Sequence, residues 1–198
     1  RTSNPPPRPK AYMDVKLAHT ALLAFKSAMA TIGVPFFLVS GTLLGIVRDG
    51  DLLPHDKDMD VGLDWGVPRE VLLERLCERG FGIPEMGLRA TQADRDWQMS
   101  VVHRETGIAI DLFFFKPDGQ MLWCGFNHRP TPLLLCFQRF ALQPITYLGE
   151  EWLVPHPPEQ FLQEMYGSGW RVPDPYFDSI ISGYNRSPQS LQVALCFA

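Results

Sequence analysis

The sequence lacks three features that would each point to a particular class of protein. It has no apolar run long enough to cross a membrane, so we expect no membrane span. Its 4 cysteines show no C-x-x-C spacing, which predicts reduced core residues rather than a zinc site or a disulfide framework. It has no basic excess either: the net charge is −4, which argues against a nucleic-acid partner because phosphate backbones bind basic faces.

The length and composition suit one compact domain. The chain has 198 residues, of which 45% are hydrophobic and 20% charged, as in an ordinary globular protein. We predict an extended, proline-rich leader over 1–10 and a single domain over 11–198, ending in a small helical segment. Because the chain begins with Arg1, an upstream signal or anchor could have been removed. Arginine outnumbers lysine, which favours a bacterial cytoplasmic source, with the lumenal part of a trimmed Golgi protein as the alternative.

Helix and strand signals are mixed along the chain, which predicts an α/β or α+β fold. An apolar stripe with i, i+3, i+4 spacing predicts the first helix, and Gly33 fits its end. The predicted elements are a helix over 11–32, a strand over 36–39, a turn over 40–42, a helical turn over 43–47, an acidic strand from 56, a helix from 68 to 80, strands over 96–103, 108–115 and 120–126, a turn at 149 and a helix over 159–166.

The stretch from 36 to 63 holds the first chemical signal. Asp56, Asp58 and Asp60 stand at every second position, so in a strand their side chains would share one face. Carboxylates that close repel one another unless protons or a cation lie between them. Hard oxygen ligands of this kind suit Mg²⁺, which usually takes one or two carboxylates together with substrate phosphates. An EF-hand is excluded, because Val61 stands where the loop needs glycine and Val67 where it needs glutamate.

Asp111 gives the second signal, because it is the one charge within the apolar run from 108 to 115. A buried carboxylate is costly unless it is paired or bound to a metal. If its strand lies beside the strand of Asp58 and Asp60, three carboxylates converge. That arrangement is typical of metal-assisted phosphoryl transfer. A solvated acidic edge is the structural alternative.

A small-residue turn, a D-x-D strand and a later lone aspartate together resemble the polymerase-beta-like nucleotidyltransferase fold. The resemblance implies a mixed sheet flanked by helices. The longer motif S-G-T-L-L-G-x-x-R-x-G-D-L-L-P-x-D-x-D-x-D-V-G-L is similar to that of the LicD/fukutin family, which includes fukutin-related protein. Tyr166-Gly167, followed by Trp170 and Pro173, is similar to the closing segment of that family. Members move a phosphorylated alcohol from a CDP-activated donor onto a glycan hydroxyl.

The resemblance implies roles for particular residues. Asp58, Asp60 and Asp111 would hold Mg²⁺ or Mn²⁺, and Asp111 would also help to deprotonate the acceptor hydroxyl. The residues expected to contact the donor, its phosphates or a second cation are Ser40, Gly41, Thr42, Arg48, His55 and Asp56. Thr42 replaces the serine that is usual in the polymerase-beta-like fold, His55 stands where many LicD/fukutin members have tryptophan, and Lys57 stands where bacterial members often have aspartate. The partners implied are a CDP-linked donor and a glycan acceptor.

Other interpretations of the same residues stay open. Arg48 could form an ion pair with Asp49 or Asp51 instead of contacting phosphate, and His55 is more often structural than catalytic. Tyr166 and Trp170 fit core packing better than a substrate wall. Two rival functions also stay open: transfer of the nucleotide itself to a small molecule or protein, and a non-catalytic binding module that assists a glycosyltransferase.

Overall fold

The structure, a computed structural model, describes residues 13–84, 96–127, 132–174 and 177. The predicted leader over 1–10 therefore lies outside the described residues, as does Cys196. The elements, in chain order, are α1 (Val15–Ile32), β1 (Phe37–Leu38), α2 (Ser40–Asp49), β2 (Asp58–Asp64), α3 (Arg69–Cys77), β3 (Phe81–Gly82), β4 (Gln98–His103), β5 (Ala109–Asp118), β6 (Met121–Phe126), β7 (Leu133–Gln138), β8 (Ala141–Tyr147), β9 (Glu150–His156) and α4 (Pro158–Tyr166).

A mixed sheet forms the centre of the fold. β2 and β5 lie side by side and parallel, and the order across the sheet is β1-β2-β5-β4-β3. The far end of β5 continues into antiparallel pairing with β6, which in turn pairs with β7. β8 and β9 form a separate hairpin. The predicted mixed α/β architecture, with helices flanking a mixed sheet, is confirmed.

The two parallel strands have one apolar face and one face that carries the carboxylates. Their alternate residues Met59, Val61, Leu63, Ile110, Leu112 and Phe114 are each 0% exposed. Because side chains alternate between the faces of a strand, the intervening aspartates point to the opposite side. Burial of the apolar face fixes the register, since a slip by one residue would turn every aspartate into the core.

The first helix packs on this sheet as its sequence pattern predicts. Asp14 caps its start, where its Oδ1 accepts hydrogen bonds from Lys16 N at 2.9 Å and Leu17 N at 3.2 Å. Gly33 ends it in the left-handed region at φ 79°. Its buried residues are Ala18, Ala21, Leu22, Phe25, Ala28 and Met29. No helix in the described part of the chain has both the length and the apolar character that a membrane span requires.

Three of the boundaries that differ from those predicted bear on the arrangement of the carboxylates or of the strand that carries Asp111. Residues 40–42 form the first turn of α2 and not a separate turn, so this helix runs from Ser40 to Asp49. The acidic strand begins at Asp58, which leaves Asp56 in the preceding loop. β5 continues to Asp118, beyond the predicted end at 115, because its last residues pair with β6.

Candidate functional site

Three carboxylates meet where the two parallel strands lie side by side. Asp60 and Asp111 are direct neighbours in the β2–β5 register, and Asp58 lies two residues before Asp60 on the same face. All three line one cavity of about 1130 Å³. The structure therefore brings together the three aspartates that the sequence singled out.

Asp60 is held by the first turn of α2. Its Oδ2 accepts a hydrogen bond from Gly41 N at 2.9 Å, and its own backbone N–H donates to Thr42 Oγ1 at 2.7 Å. The start of a helix carries free N–H groups and a partial positive charge, both of which stabilise a carboxylate. The S-G-T segment thus positions an aspartate.

Gly41 is required by the close approach of two carboxylates. A Cβ atom at this position would lie 2.3 Å from Asp56 Oδ2 and 3.1 Å from Asp60 Oδ2. Ser40, which also lines the cavity, adopts φ 47°, a left-handed conformation that costs a non-glycine residue of order 1–3 kcal/mol. The backbone before the carboxylates is therefore both tightly packed and strained.

Asp111 is held from the neighbouring strand β4. Its Oδ1 accepts a hydrogen bond from Ser100 Oγ, and its Oδ2 accepts one from Gln98 Nε2 at 2.6 Å. Gln98 is fixed in turn, because its Oε1 accepts from Asn127 N at 2.9 Å. Sequence reasoning missed Gln98 and Ser100, although two polar residues at alternate positions of an otherwise apolar strand were the available signal.

Burial raises the pKa of every carboxyl in the cluster, and the charges of neighbouring carboxylates further raise those of Asp58, Asp60 and Asp111. Burial, then the charges of Asp111 and Asp56, raises the pKa of Asp58 to about 7. Burial, and then the charge of Asp58, raises the pKa of Asp60 well above its ordinary value. Burial also raises the pKa values of Asp111 and Asp56. The cluster therefore favours protons or a bound cation over four free negative charges.

The chemistry of this donor set fits a hard divalent cation. The converging groups are carboxylate oxygens, the ligands that Mg²⁺ prefers, and a cation would relieve the repulsion that raises their pKa values. Among the described residues, however, no group of three or more His, Cys, Asp or Glu side chains is arranged to hold a metal as it stands. Both Asp111 oxygens accept hydrogen bonds within the protein. To bind a metal ion, the Asp111 carboxylate would therefore have to keep these hydrogen bonds while also coordinating the metal, or rotate away from them.

The remaining predicted residues divide into two groups. Ser40, Gly41, Arg48, His55 and Asp56 line the cavity, as expected. Thr42 does not: its side chain is buried, and its hydroxyl accepts the Asp60 backbone N–H. Its 2% exposure and its bond to the Asp60 backbone favour a structural role for this hydroxyl, and contact with donor phosphates stays a prediction.

Arg48 combines the two roles that the sequence left open. Its Nε and Nη2 each donate to Asp49 carboxylate oxygens at 2.8 Å, so the predicted ion pair is present. The side chain nevertheless lines the cavity and is only 9% exposed. Its Nη1 has no hydrogen-bond partner within residues 13–84, 96–127, 132–174 and 177. One edge of the guanidinium is therefore available to a ligand.

The end of α4 and the segment after it form the wall opposite the carboxylates. Trp170 belongs to the core, as predicted, but it also lines the cavity together with Tyr166, which the sequence interpretation had not favoured. The Trp170 indole nitrogen is buried without a partner in the described part of the chain. Burial, then the charges of Asp60 and Asp56, raises the pKa of the Tyr166 hydroxyl.

Comparison with known proteins agrees with the geometry. The family model described as "LicD/FKTN/FKRP, nucleotidyltransferase domain" matches residues 33–155. The chain is 25% identical over 179 residues to the ribitol-5-phosphate transferase FKTN of Homo sapiens and of Macaca fascicularis. It is 29% identical over 148 residues to the human ribitol 5-phosphate transferase FKRP. These matches cover 89% and 69% of this chain but only 37% and 28% of FKTN and FKRP.

Proposed function

The chain belongs to the LicD/FKTN/FKRP family of nucleotidyltransferase domains, and we propose that it transfers a phosphorylated alcohol from a CDP-activated donor to a glycan hydroxyl. The observation that carries this proposal is the pairing of Asp60 with Asp111, with Asp58 on the same face of one large cavity. The similarity to ribitol-phosphate transferases makes a polyol phosphate the first candidate for the transferred group, with phosphocholine as the next.

The cofactor in this proposal is Mg²⁺ or Mn²⁺, held by Asp58, Asp60 and Asp111. When bound, such an ion would neutralise the charge of the donor diphosphate and polarise the phosphorus under attack. Asp56 lies beside Gly41 and Asp60, so it is placed to orient the acceptor or to hold a second cation. Ser40 and Gly41 line the cavity at the start of α2, whose positive end favours an anion, although the Gly41 N–H already donates to Asp60 Oδ2.

The transfer step makes one bond and breaks another. The acceptor oxygen attacks the phosphorus of the alcohol phosphate, the bond from that phosphorus to the bridging oxygen breaks, and CMP leaves with the electron pair. The acceptor proton passes to a carboxylate of the cluster. Asp111 is suited to receive it because burial raises its pKa and because Ser100 and Gln98 fix its orientation.

Product analysis tests this function. The protein is incubated with Mg²⁺, an acceptor glycan and each of CDP-ribitol, CDP-glycerol and CDP-choline. We expect release of CMP together with a labelled glycan for one of the donors. Release of pyrophosphate from a nucleoside triphosphate would instead support nucleotidyl transfer, the alternative enzymatic function.

A single variant separates catalysis from assisted binding. Asp58→Asn removes a charge from the cluster while keeping the size of the side chain. Loss of glycan modification in cells that express this variant supports the enzyme. Intact modification would favour a non-catalytic module that assists a glycosyltransferase.

A further inference from the structure

Tyr166 lies opposite the carboxylate cluster. It is the last residue of α4, which packs against α2, and its side chain lines the cavity. Its ring lies 4.9 Å from the ring of Phe177, centroid to centroid, at an angle of 54°. The contact with Phe177 restricts the orientation of the Tyr166 ring and therefore the position of its hydroxyl.

No hydrogen bond joins the Tyr166 hydroxyl to another described residue, and its side chain, which is partly exposed, lines the cavity. A tyrosine hydroxyl that is drawn into a protein usually finds such a partner. Tyr147, which is buried, follows this rule, since its Oη donates to Asp51 Oδ1 at 2.6 Å. The difference leaves the Tyr166 hydroxyl open to a ligand that enters the cavity.

The charges around the hydroxyl indicate which chemical group that partner carries. Tyr166 lines the same cavity as Asp60, Asp56 and Arg48, and the charges of these three residues act on its hydroxyl. The free Nη1 of Arg48 can only donate hydrogen bonds, and a neutral phenol beside it can donate one more. Two donors that face the same space suit an anionic oxygen, and a phosphate has several.

We infer that the Tyr166 hydroxyl donates a hydrogen bond to a non-bridging phosphate oxygen of the donor substrate, beside Arg48. The inference rests on the proposed function, since it concerns the diphosphate of that donor. Arg48 would supply charge and Tyr166 a fixed direction. Together they would hold the phosphate from the side that the carboxylate cluster cannot reach.

Titration calorimetry with Mg-pyrophosphate and with Mg-CDP tests the inference. Tyr166→Phe removes the hydroxyl and keeps the ring on Phe177. We expect its Kd for both probes to rise about tenfold, as for loss of a hydrogen bond to a charged group. Its affinity for Mn²⁺ alone should stay that of the wild type, because Tyr166 is not among the proposed metal ligands.

The control is Tyr147→Phe, which removes the same atom from a hydroxyl outside the cavity. It should leave the Kd for both probes within twofold. Equal binding of the probes by Tyr166→Phe and the wild type would overturn the inference and leave the proposed function intact. Weaker Mn²⁺ binding by Tyr166→Phe would also overturn it, since the effect would then be structural. A wild type that binds neither probe would refute the proposed function first, and the inference with it.

Discussion

The two walls of the cavity differ in charge and in how their polar atoms are hydrogen-bonded. The wall made by β2, β5 and the start of α2 is rich in charge, and its carboxylates Asp60 and Asp111 each accept hydrogen bonds from neighbouring elements. The wall made by the end of α4 and the segment after it is aromatic. Two of its polar atoms, the Tyr166 hydroxyl and the Trp170 indole nitrogen, have no hydrogen-bond partner in the described residues, whereas Asp174 on the same wall takes part in an interaction.

The difference indicates where each wall directs its interactions. The acidic wall is organised by the protein itself, at the cost of raised pKa values, which is typical of sites that tune carboxylates for chemistry. The aromatic wall leaves donors free, which is typical of a surface that receives a ligand. Variants that remove a charge from the acidic wall should therefore change activity and stability in opposite directions, whereas variants on the aromatic wall should not.

The largest effect is expected from Asp60→Asn. The change removes a proposed metal ligand, so we expect transfer activity to fall by roughly 10³-fold. It also removes a buried charge from a repelling cluster, so the metal-free variant should be at least as stable as the wild type at pH 8. Activity assays and thermal denaturation measure the two effects.

Asp64→Asn provides the matched control for that variant. Asp64 is the last residue of the same strand and is exposed, away from the cavity. Its activity should stay within twofold of the wild type. If Asp60→Asn and Asp64→Asn lose activity equally, the acidic wall has no special role.

Gly41→Ala should have the next largest effect. The added methyl group would lie 2.3 Å from Asp56 Oδ2 and 3.1 Å from Asp60 Oδ2, so both carboxylates must move. We expect a loss of about 1–3 kcal/mol in stability from overpacking and roughly 10²-fold in activity from displaced ligands. Gly82→Ala is the control, because its nearest atom would be at 3.6 Å. Wild-type activity in Gly41→Ala would show that the cluster tolerates displacement.

The third largest effect is expected in the pH dependence of the melting temperature. The folded-state pKa of Asp58 is about 7, above its value in the unfolded chain, so the unfolded state binds fewer protons between about pH 4 and 7. The contribution of Asp58 to the free energy of unfolding is therefore largest at low pH and is lost as the pH rises through 7. The melting temperature of the metal-free protein should therefore fall by roughly 5 °C between pH 5.5 and 8. Saturating Mg²⁺ should reduce that fall, and a fall that Mg²⁺ leaves unchanged would contradict cation binding at the cluster.

The parts of the site that depend on local pattern were predictable from the sequence. Strand alternation predicts that the side chains of Asp58 and Asp60 share one face. Asp111 was predicted to join them because it is the one charge in an apolar run. The start of α2 was not predictable, because Gly41, Thr42 and Gly45 are poor helix formers. Packing overrides that propensity: a Cβ at Gly45 would lie 2.6 Å from the Asp51 carbonyl oxygen, so the close turn needs glycine.

The parts that depend on contacts distant in sequence could not be derived from it. Gln98 supports Asp111 only because β4 pairs with β5, and a polar residue on a strand does not reveal its neighbour. Tyr166 lines the same cavity as Asp60, which lies more than a hundred residues earlier in the chain, because α4 packs against α2. The motif that contains Tyr166, Gly167, Trp170 and Pro173 singled out this tyrosine but did not reveal where its side chain lies in the fold.

The smallest effect, and the sharpest test of the aromatic wall, is expected from Trp170→Phe. The Trp170 indole nitrogen has no partner in the described part of the chain, so the change should cost only the lost volume, about 1 kcal/mol. Trp152→Phe is the matched change in a ring that is equally buried, where the indole nitrogen donates to the Tyr147 carbonyl oxygen at 2.7 Å. Leaving that oxygen unpaired should cost about 1–3 kcal/mol more. Chemical denaturation measures the free energy of unfolding of both variants. Equal losses in that free energy would mean that the Trp170 nitrogen has a hydrogen-bond partner. The aromatic wall would then have one free donor fewer than the two that distinguish it.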